Sequence, residues 1–179
     1  PKHEFRGMRV DDVTDWFRAQ LEQTGELFVW ALEQMPAERR AVPPPGRDEW
    51  SAVWHAFHLT YYERELALPS MRQWLGGAMP NDKKLDEDAA GAAGHEWDGT
   101  IAAFRRGRAE QIALLERLDA AEWEIARETG WAPVAPEGGV TLRWVVTKTL
   151  QHTAEHTHDV LRMALFWDYA TRQAREQAR

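Results

Sequence analysis

The chain has 179 residues, of which 44% are hydrophobic, and its formal net charge is -7 at pH 7. This length suffices for one sizeable core, so we expect a single domain over residues 1–179. The acidic balance argues against a surface that follows nucleic-acid phosphates. No apolar run is long enough to span a membrane or resembles a secretory signal, which predicts a soluble, cytoplasmic protein. The chain contains no cysteine, so a metal ion would have to bind to His, Asp or Glu.

Four segments have the three-and-four spacing of apolar residues that is typical of amphipathic helices. The first is predicted over about residues 10–35 and ends before Pro36, because proline lacks the amide donor that a helix needs. The second is predicted over about residues 48–75, with Asp48 as its N-cap and a bend near Pro69.

The third helix is predicted from Trp97 onward, and Arg108 interrupts its apolar stripe. We expect the Arg108 side chain to extend to water, with entry into a pocket as the alternative. The fourth is predicted to begin at Thr141 as N-cap and to fray in its polar final turns, residues 172–179. Gly- and Pro-rich connections over 76–94 and 127–140 are expected to be mobile and irregular. Four such helices without a strand pattern predict an all-α four-helix bundle.

His152 and His156 are the strongest candidates for chemistry. Residues four apart on a helix point the same way, roughly 6 Å apart, so both imidazoles could bind one ion. Both lie on the apolar stripe, where a buried polar group without a partner costs about 1–3 kcal/mol. The pair alone leaves two alternatives open, a metal site or two hydrogen-bonded core histidines.

His55 and His58 compete for the role of a third ligand. His58 lies near the aromatic face formed by Trp54, Tyr61 and Tyr62, whereas His55 is displaced by roughly 60° around the helix. We therefore predict His58 as the ligand and expect little effect from replacing His55.

The other three histidines are predicted to be solvated. His158 faces away from the pair on the same helix, and His3 and His95 lie at a terminus and at a helix start. None of them enters the predicted site.

Several short motifs occur in order along the chain: Trp50-Ser51, His58-Leu59, Glu63, the segment from Gly139 to Arg143, and His152 with His156. In this order and spacing the chain resembles, over nearly its whole length, the DinB-like (DNA-damage-inducible) metalloprotein superfamily, which includes bacillithiol- and mycothiol-dependent transferases. The resemblance implies a four-helix bundle with up-down-down-up connections and one divalent metal ion, zinc or nickel. It also implies that the ligands are His58, His152 and His156.

Three histidine ligands would leave at least one coordination position for water or substrate, as in catalytic zinc sites. We therefore predict a metal-dependent enzyme of the hydrolase or thiol S-transferase type. Its substrate would be a low-molecular-weight thiol or another small molecule, and we expect no nucleic-acid or membrane partner. The alternative is a non-catalytic, metal-binding stress-response bundle that acts through protein interaction. A homodimer fits either prediction, and Trp16, Trp30 and Trp74 could supply a partner face.

No catalytic residue is assigned by the sequence. Glu63, Glu155 and Asp159 are candidates for orienting a ligand or for general-base chemistry, and so are Tyr61 and Tyr62. The segment from His152 to His156 also matches the His-x-x-Glu-His pattern of inverted zinc proteases. We disfavour that class because its further acidic ligand lies well downstream, and few residues follow His156.

Overall fold

The structure is a computed structural model that describes residues 10–45, 50–78, 87, 91, 96–128 and 138–177. Its helices are α1 (Val10–Glu33), α2 (Ala52–Tyr62), a π-helical turn (Glu63–Ala67), α3 (Leu68–Arg72), α4 (Trp97–Leu115) and α5 (Leu142–Gln177). Short 3-10 turns lie at Ala37–Arg39, Gln73–Leu75 and Ala120–Glu124. Residues 52–75 are continuously helical, and we call them the second bundle helix. The predicted all-α helical bundle is confirmed. None of the described helices is both long and apolar enough to cross a membrane.

Helix ends differ from the predictions in two places. The second bundle helix begins at Ala52, and its N-cap is Ser51, whose Oγ accepts a hydrogen bond from the Trp54 amide at 3.4 Å. Asp48 is therefore not its cap, and it lies outside the described residues. Thr141 does cap α5, since its Oγ1 accepts from the Trp144 amide at 3.3 Å. The polar end of α5 is helical as far as Gln177, although we expected it to fray.

The π-helical turn lies just before Pro69, where a bend was predicted. Proline would clash with the carbonyl four residues earlier, which belongs to Glu65 inside this turn. The wider turn relieves that clash, and the Leu68 amide donates to the Glu63 carbonyl five residues back. One extra residue is thereby accommodated without ending the helix.

The described part of the connection after α4 contains a small antiparallel strand pair that the sequence did not predict. β1 (Ala126–Arg127) pairs with β2 (Val140–Thr141), with Ala126 opposite Thr141. Gly139 permits this pairing: its φ is +89°, and a Cβ there would lie 2.3 Å from the Arg127 carbonyl oxygen. Most of residues 76–94, and residues 129–137, lie outside the described parts of the chain.

Two clusters of buried side chains form the core. The first joins the starts of α1 and α5 with the ends of the second bundle helix and α4, and includes Phe17, Leu21, Met71, Leu115, Leu142 and Val145. The second joins the end of α1 and the middle of α5 with the starts of the second bundle helix and α4, and includes Phe28, Leu32, Ala56, Phe104, Val160 and Met163. This distribution agrees with the up-down-down-up order implied by the resemblance, an order that stays a prediction.

The tryptophans expected at a partner face divide between surface and core. Trp16 and Trp30 are about half exposed on α1. Trp74 is buried, and its Nε1 donates to the Ile125 carbonyl at 2.9 Å. Trp74 therefore belongs to the core and cannot contribute to a partner face.

Arg108 does not extend to water, contrary to the preferred prediction, and is only 3% exposed. Its guanidinium forms a buried ion pair with Glu63 of the π-helical turn and donates to Thr153 Oγ1 of α5 at 2.8 Å. It also donates to the Leu21 carbonyl of α1 at 3.1 Å. The side chain fits because Gly25 has no Cβ, which would lie 3.3 Å from Arg108 Cγ. One cation from α4 thus contacts the other three bundle helices.

The Glu63 carboxylate has a second partner. Gln111 Nε2 of α4 donates to Glu63 Oε2 at 3.1 Å. Burial raises the pKa of this carboxyl, and Arg108 acts against that rise. Because a buried charge is costly unless it is paired, neither partner can be removed alone without a large penalty.

Replacing Arg108 by Met should lower the free energy of unfolding by about 3–5 kcal/mol, because Glu63 would remain buried without its counter-charge. Arg106→Met, at an exposed position of the same helix, is the control and should change it by less than about 0.5 kcal/mol. Urea unfolding followed by circular dichroism measures both. Equal effects of the two substitutions would contradict a buried ion pair.

Candidate metal centre

His58, His152 and His156 come together between α2 and α5. The Nε2 atom of His152 lies 3.0 Å from Nε2 of His58 and 3.0 Å from Nε2 of His156. His156 is buried, and the other two are partly buried. The structure therefore unites the three predicted ligands, which meet through equivalent ring nitrogens.

The spacing of these nitrogens fits a bound ion. Imidazole nitrogens bind zinc at about 2.0–2.1 Å, and tetrahedral angles then place neighbouring nitrogens about 3.3 Å apart. The observed 3.0 Å separations are close to that value. The three residues form a group that could hold a metal ion.

His58 has a carboxylate partner at its other ring nitrogen. Glu87 Oε1 lies 2.5 Å from His58 Nδ1. Because a carboxylate only accepts, this contact favours the proton on Nδ1 and leaves the Nε2 lone pair free. Glu87 was not among the predicted site residues, because the sequence around it has no helical pattern that could have indicated the direction of its side chain.

His55 was predicted to be displaced around α2 from the ligand His58, but it also contacts His156 of α5. His55 is buried, and its Nδ1 lies 2.7 Å from Nδ1 of His156. His55, His156 and Asp159 form a second group whose potential ligand atoms all lie within 4.8 Å of one another. The bundle buries a wider arc of α2 than the aromatic stripe indicates, because α5 covers His55 as well as His58.

His152 has aromatic surroundings. The Tyr62 ring lies edge-on to it, with ring centroids 4.2 Å apart. Its Nδ1 is buried and has no hydrogen-bond partner among the described residues. Trp50 stacks parallel to the His156 ring at 5.8 Å and lies 4.9 Å from the His58 ring. These rings make one side of the cluster apolar.

Burial keeps His152 and His156 of α5 neutral. It lowers the pKa of His152 to about 3, and the charge on nearby His58 contributes in the same direction. It lowers the pKa of His156 to about 2, with a further contribution from His152. Both imidazoles therefore present lone pairs at neutral pH, as metal ligands must.

A family model of the DinB superfamily matches residues 20–160. The chain belongs to the DinB superfamily. Comparisons with curated proteins and with solved structures gave no match. The matched segment includes His58, His152 and His156, together with their neighbours His55 and Glu87, so every residue of the cluster lies within the superfamily domain.

The acidic residues proposed from the sequence lie elsewhere or have other partners. Glu63 belongs to the ion pair with Arg108. Glu155 is exposed and accepts a hydrogen bond from Gln151 at 2.7 Å. Asp159 is partly exposed and lies 3.2 Å from Arg162. None of these three carboxylates hydrogen-bonds to His58 or His152 in the described part of this DinB domain.

The remaining predictions have mixed outcomes. The His158 side chain is 74% exposed, as expected, whereas His3 and His95 lie outside the described residues. Tyr61 packs against Phe57, with ring centroids 5.8 Å apart. An open depression follows one face of α5 from Gln151 to Asp159, and His152 and His156 are among the residues that line it.

Acid should destabilise the metal-free protein through the buried imidazoles. An unfolded histidine titrates near pH 6.5, whereas the pKa of His152 is about 3 when folded. Between these values the unfolded chain binds a proton that the native state excludes, so stability is lost as the pH falls below 6.5. At pH 5 the loss is about 2 kcal/mol for this histidine.

Urea unfolding of EDTA-treated protein between pH 7.5 and 5 tests this dependence. The parent should lose more stability over that range than His152→Leu, while His158→Ala should follow the parent. A His152→Leu profile that is parallel to the parent would show that His152 is not held neutral.

Proposed function

We propose that this DinB-superfamily chain is a metal-dependent enzyme that holds one divalent ion, zinc or nickel, on His58, His152 and His156. Its reaction would be thiol S-transfer or another use of a small nucleophile. The supporting observation is the convergence of three imidazoles beside an open depression, with His152 Nε2 3.0 Å from Nε2 of each of the other two. A three-histidine set leaves a coordination position for substrate, as catalytic sites require.

Each part of the cluster has a role in this proposal. The bound ion would act as a Lewis acid that lowers the pKa of a water molecule or a thiol. The three imidazoles hold it, and Glu87 orients His58 through Nδ1. Trp50 shields the side of the cluster formed by His58 and His156. The face along α5 is left for the substrate to approach.

The proposed thiol transfer requires less of the carboxylates near the cluster than hydrolysis does. Hydrolysis benefits from a general base placed within reach of the attacking water. In the described residues Glu87 bonds to His58, Glu155 to Gln151 and Asp159 to Arg162, and Glu155 and Asp159 also line the open depression. A thiol held as the thiolate is already a nucleophile and needs no such base.

The second candidate is a non-catalytic metal-binding bundle that acts through protein interaction. The exposed Trp16, Leu27 and Trp30 of α1 support it, because large apolar side chains at a surface are typical of contact faces. Either candidate allows a homodimer through this surface.

The parent protein should contain about one equivalent of zinc or nickel after metal loading, and His58→Ala, His152→Ala and His156→Ala should contain almost none. His158→Ala is the matched control, because His158 belongs to the same helix. It should retain the ion, because this histidine is exposed and lies outside the cluster. Elemental analysis of untagged protein provides the measurement. Full occupancy in the three ligand variants would contradict the site.

The loaded protein should accelerate conjugation of a thiol to monochlorobimane, because the ion would hold the thiolate beside the open depression. Cysteine, bacillithiol and mycothiol are tested in parallel by fluorescence. The rate should be lost with EDTA or in His58→Ala, and kept in His158→Ala. Stoichiometric metal without turnover of thiols, p-nitrophenyl esters or amides would favour the non-catalytic bundle.

A further inference from the structure

We propose that His55 is a positioning residue that accepts a hydrogen bond from Nδ1 of His156 and so directs the His156 Nε2 lone pair at the metal position. This inference rests on the proposed metal site. It assigns a role to a buried histidine that the three-ligand set does not use.

The contact between the two rings permits only two arrangements of one proton. Their Nδ1 atoms lie 2.7 Å apart, and both residues are buried. If His55 donated, neutral His156 would carry its proton on Nε2 and could not bind an ion there. If His156 donates, its Nε2 lone pair is free, and His55 carries its proton on Nε2. Metal binding through Nε2 therefore requires His55 as the acceptor.

The surroundings hold the two rings in this contact. Trp50 lies 5.5 Å from the His55 ring and stacks on the His156 ring at 5.8 Å. His55 is on α2 and His156 on α5, so the hydrogen bond also joins the two helices that supply the ligands. A ligand whose second nitrogen is bonded keeps its ring orientation when the ion is absent.

His55 and Glu87 have parallel positions but different charges. Each lies at the Nδ1 atom of one ligand, Glu87 at His58 and His55 at His156. A carboxylate makes its ligand more basic, whereas a neutral imidazole accepts the hydrogen bond without adding negative charge. His55 and Glu87 orient two ligands but add only one negative charge beside the ion. The metal centre is therefore more electrophilic than it would be with two carboxylates.

An alternative assignment makes His55 a ligand itself. One potential ligand atom from each of His55, His156 and Asp159 lies within 4.8 Å of the others. An ion held there would not need His58. The two assignments therefore predict opposite behaviour of His58→Ala and Asp159→Asn.

The experiment compares His55→Leu, which removes the acceptor, with His55→Asn, whose Oδ1 can accept in place of the imidazole Nδ1. Zinc affinity is measured by competition with a chromophoric chelator, and circular dichroism checks that both variants are folded. His55→Leu should weaken zinc binding by about 10–100-fold, and His55→Asn should recover most of that loss. Asp159→Asn should stay close to the parent.

A second measurement does not depend on metal. Ring ¹⁵N chemical shifts of the metal-free parent should show the His156 proton on Nδ1, and His55→Leu should shift the population toward the Nε2-protonated form. If the parent bound no metal, the proposed function would fail and these shifts alone would decide the role of His55. Protonation of His156 on Nε2 in the parent would overturn the inference.

Two affinity results would also overturn it. Unchanged zinc affinity in folded His55→Leu would show that the hydrogen bond does not position His156. Loss of zinc in His55→Leu, His55→Asn and Asp159→Asn, with retention in His58→Ala, would make His55 a ligand.

Discussion

The buried ion pair between Arg108 and Glu63 is the interaction on which the arrangement of the bundle depends. Two charges leave water there, and their mutual attraction offsets the desolvation cost only with good geometry and further hydrogen bonds. Those bonds come from α1, α4 and α5, so the pair is satisfied only when all four bundle helices are in register. Apolar contacts alone would tolerate small shifts between helices. The ion pair makes such shifts costly.

The alignment of the helices also positions the histidine cluster, because residues of the charged network are adjacent in sequence to residues of the cluster. Thr153, which accepts from Arg108, directly follows His152, and Glu63 directly follows Tyr62, which packs against His152. A slide of α5 along the second bundle helix would break the charged network and, at the same time, move the imidazoles apart. Polar contacts in the core thus position a site that they do not touch.

The sequence predicted what periodicity and local spacing determine. Apolar periodicity located the helices, and the four-residue spacing of His152 and His156 placed them on one face. The roles of Arg108 and His55 depend on which helix lies opposite, and their partners are 45 and 101 residues away in the chain. Glu87 lies in a segment without periodicity, so its approach to His58 had no sequence signal. An isolated helical pattern shows which face is apolar, but it does not show how far a neighbouring helix extends that buried face.

The π-helical turn sets the angular phase between the two halves of the second bundle helix. Each residue of an α-helix advances the side chains by about 100°, so one additional residue in a turn rotates everything beyond it by that amount. His55 and His58 lie before Glu63–Ala67, and core residues Leu68 and Met71 follow it. A chain lacking one residue here could form a regular helix. In that helix, however, the histidines could not face α5 while Leu68 and Met71 faced the core. If the core half kept its packing, the histidines would face away from α5. The length of this short segment therefore matters to the site, as does the identity of its ligands.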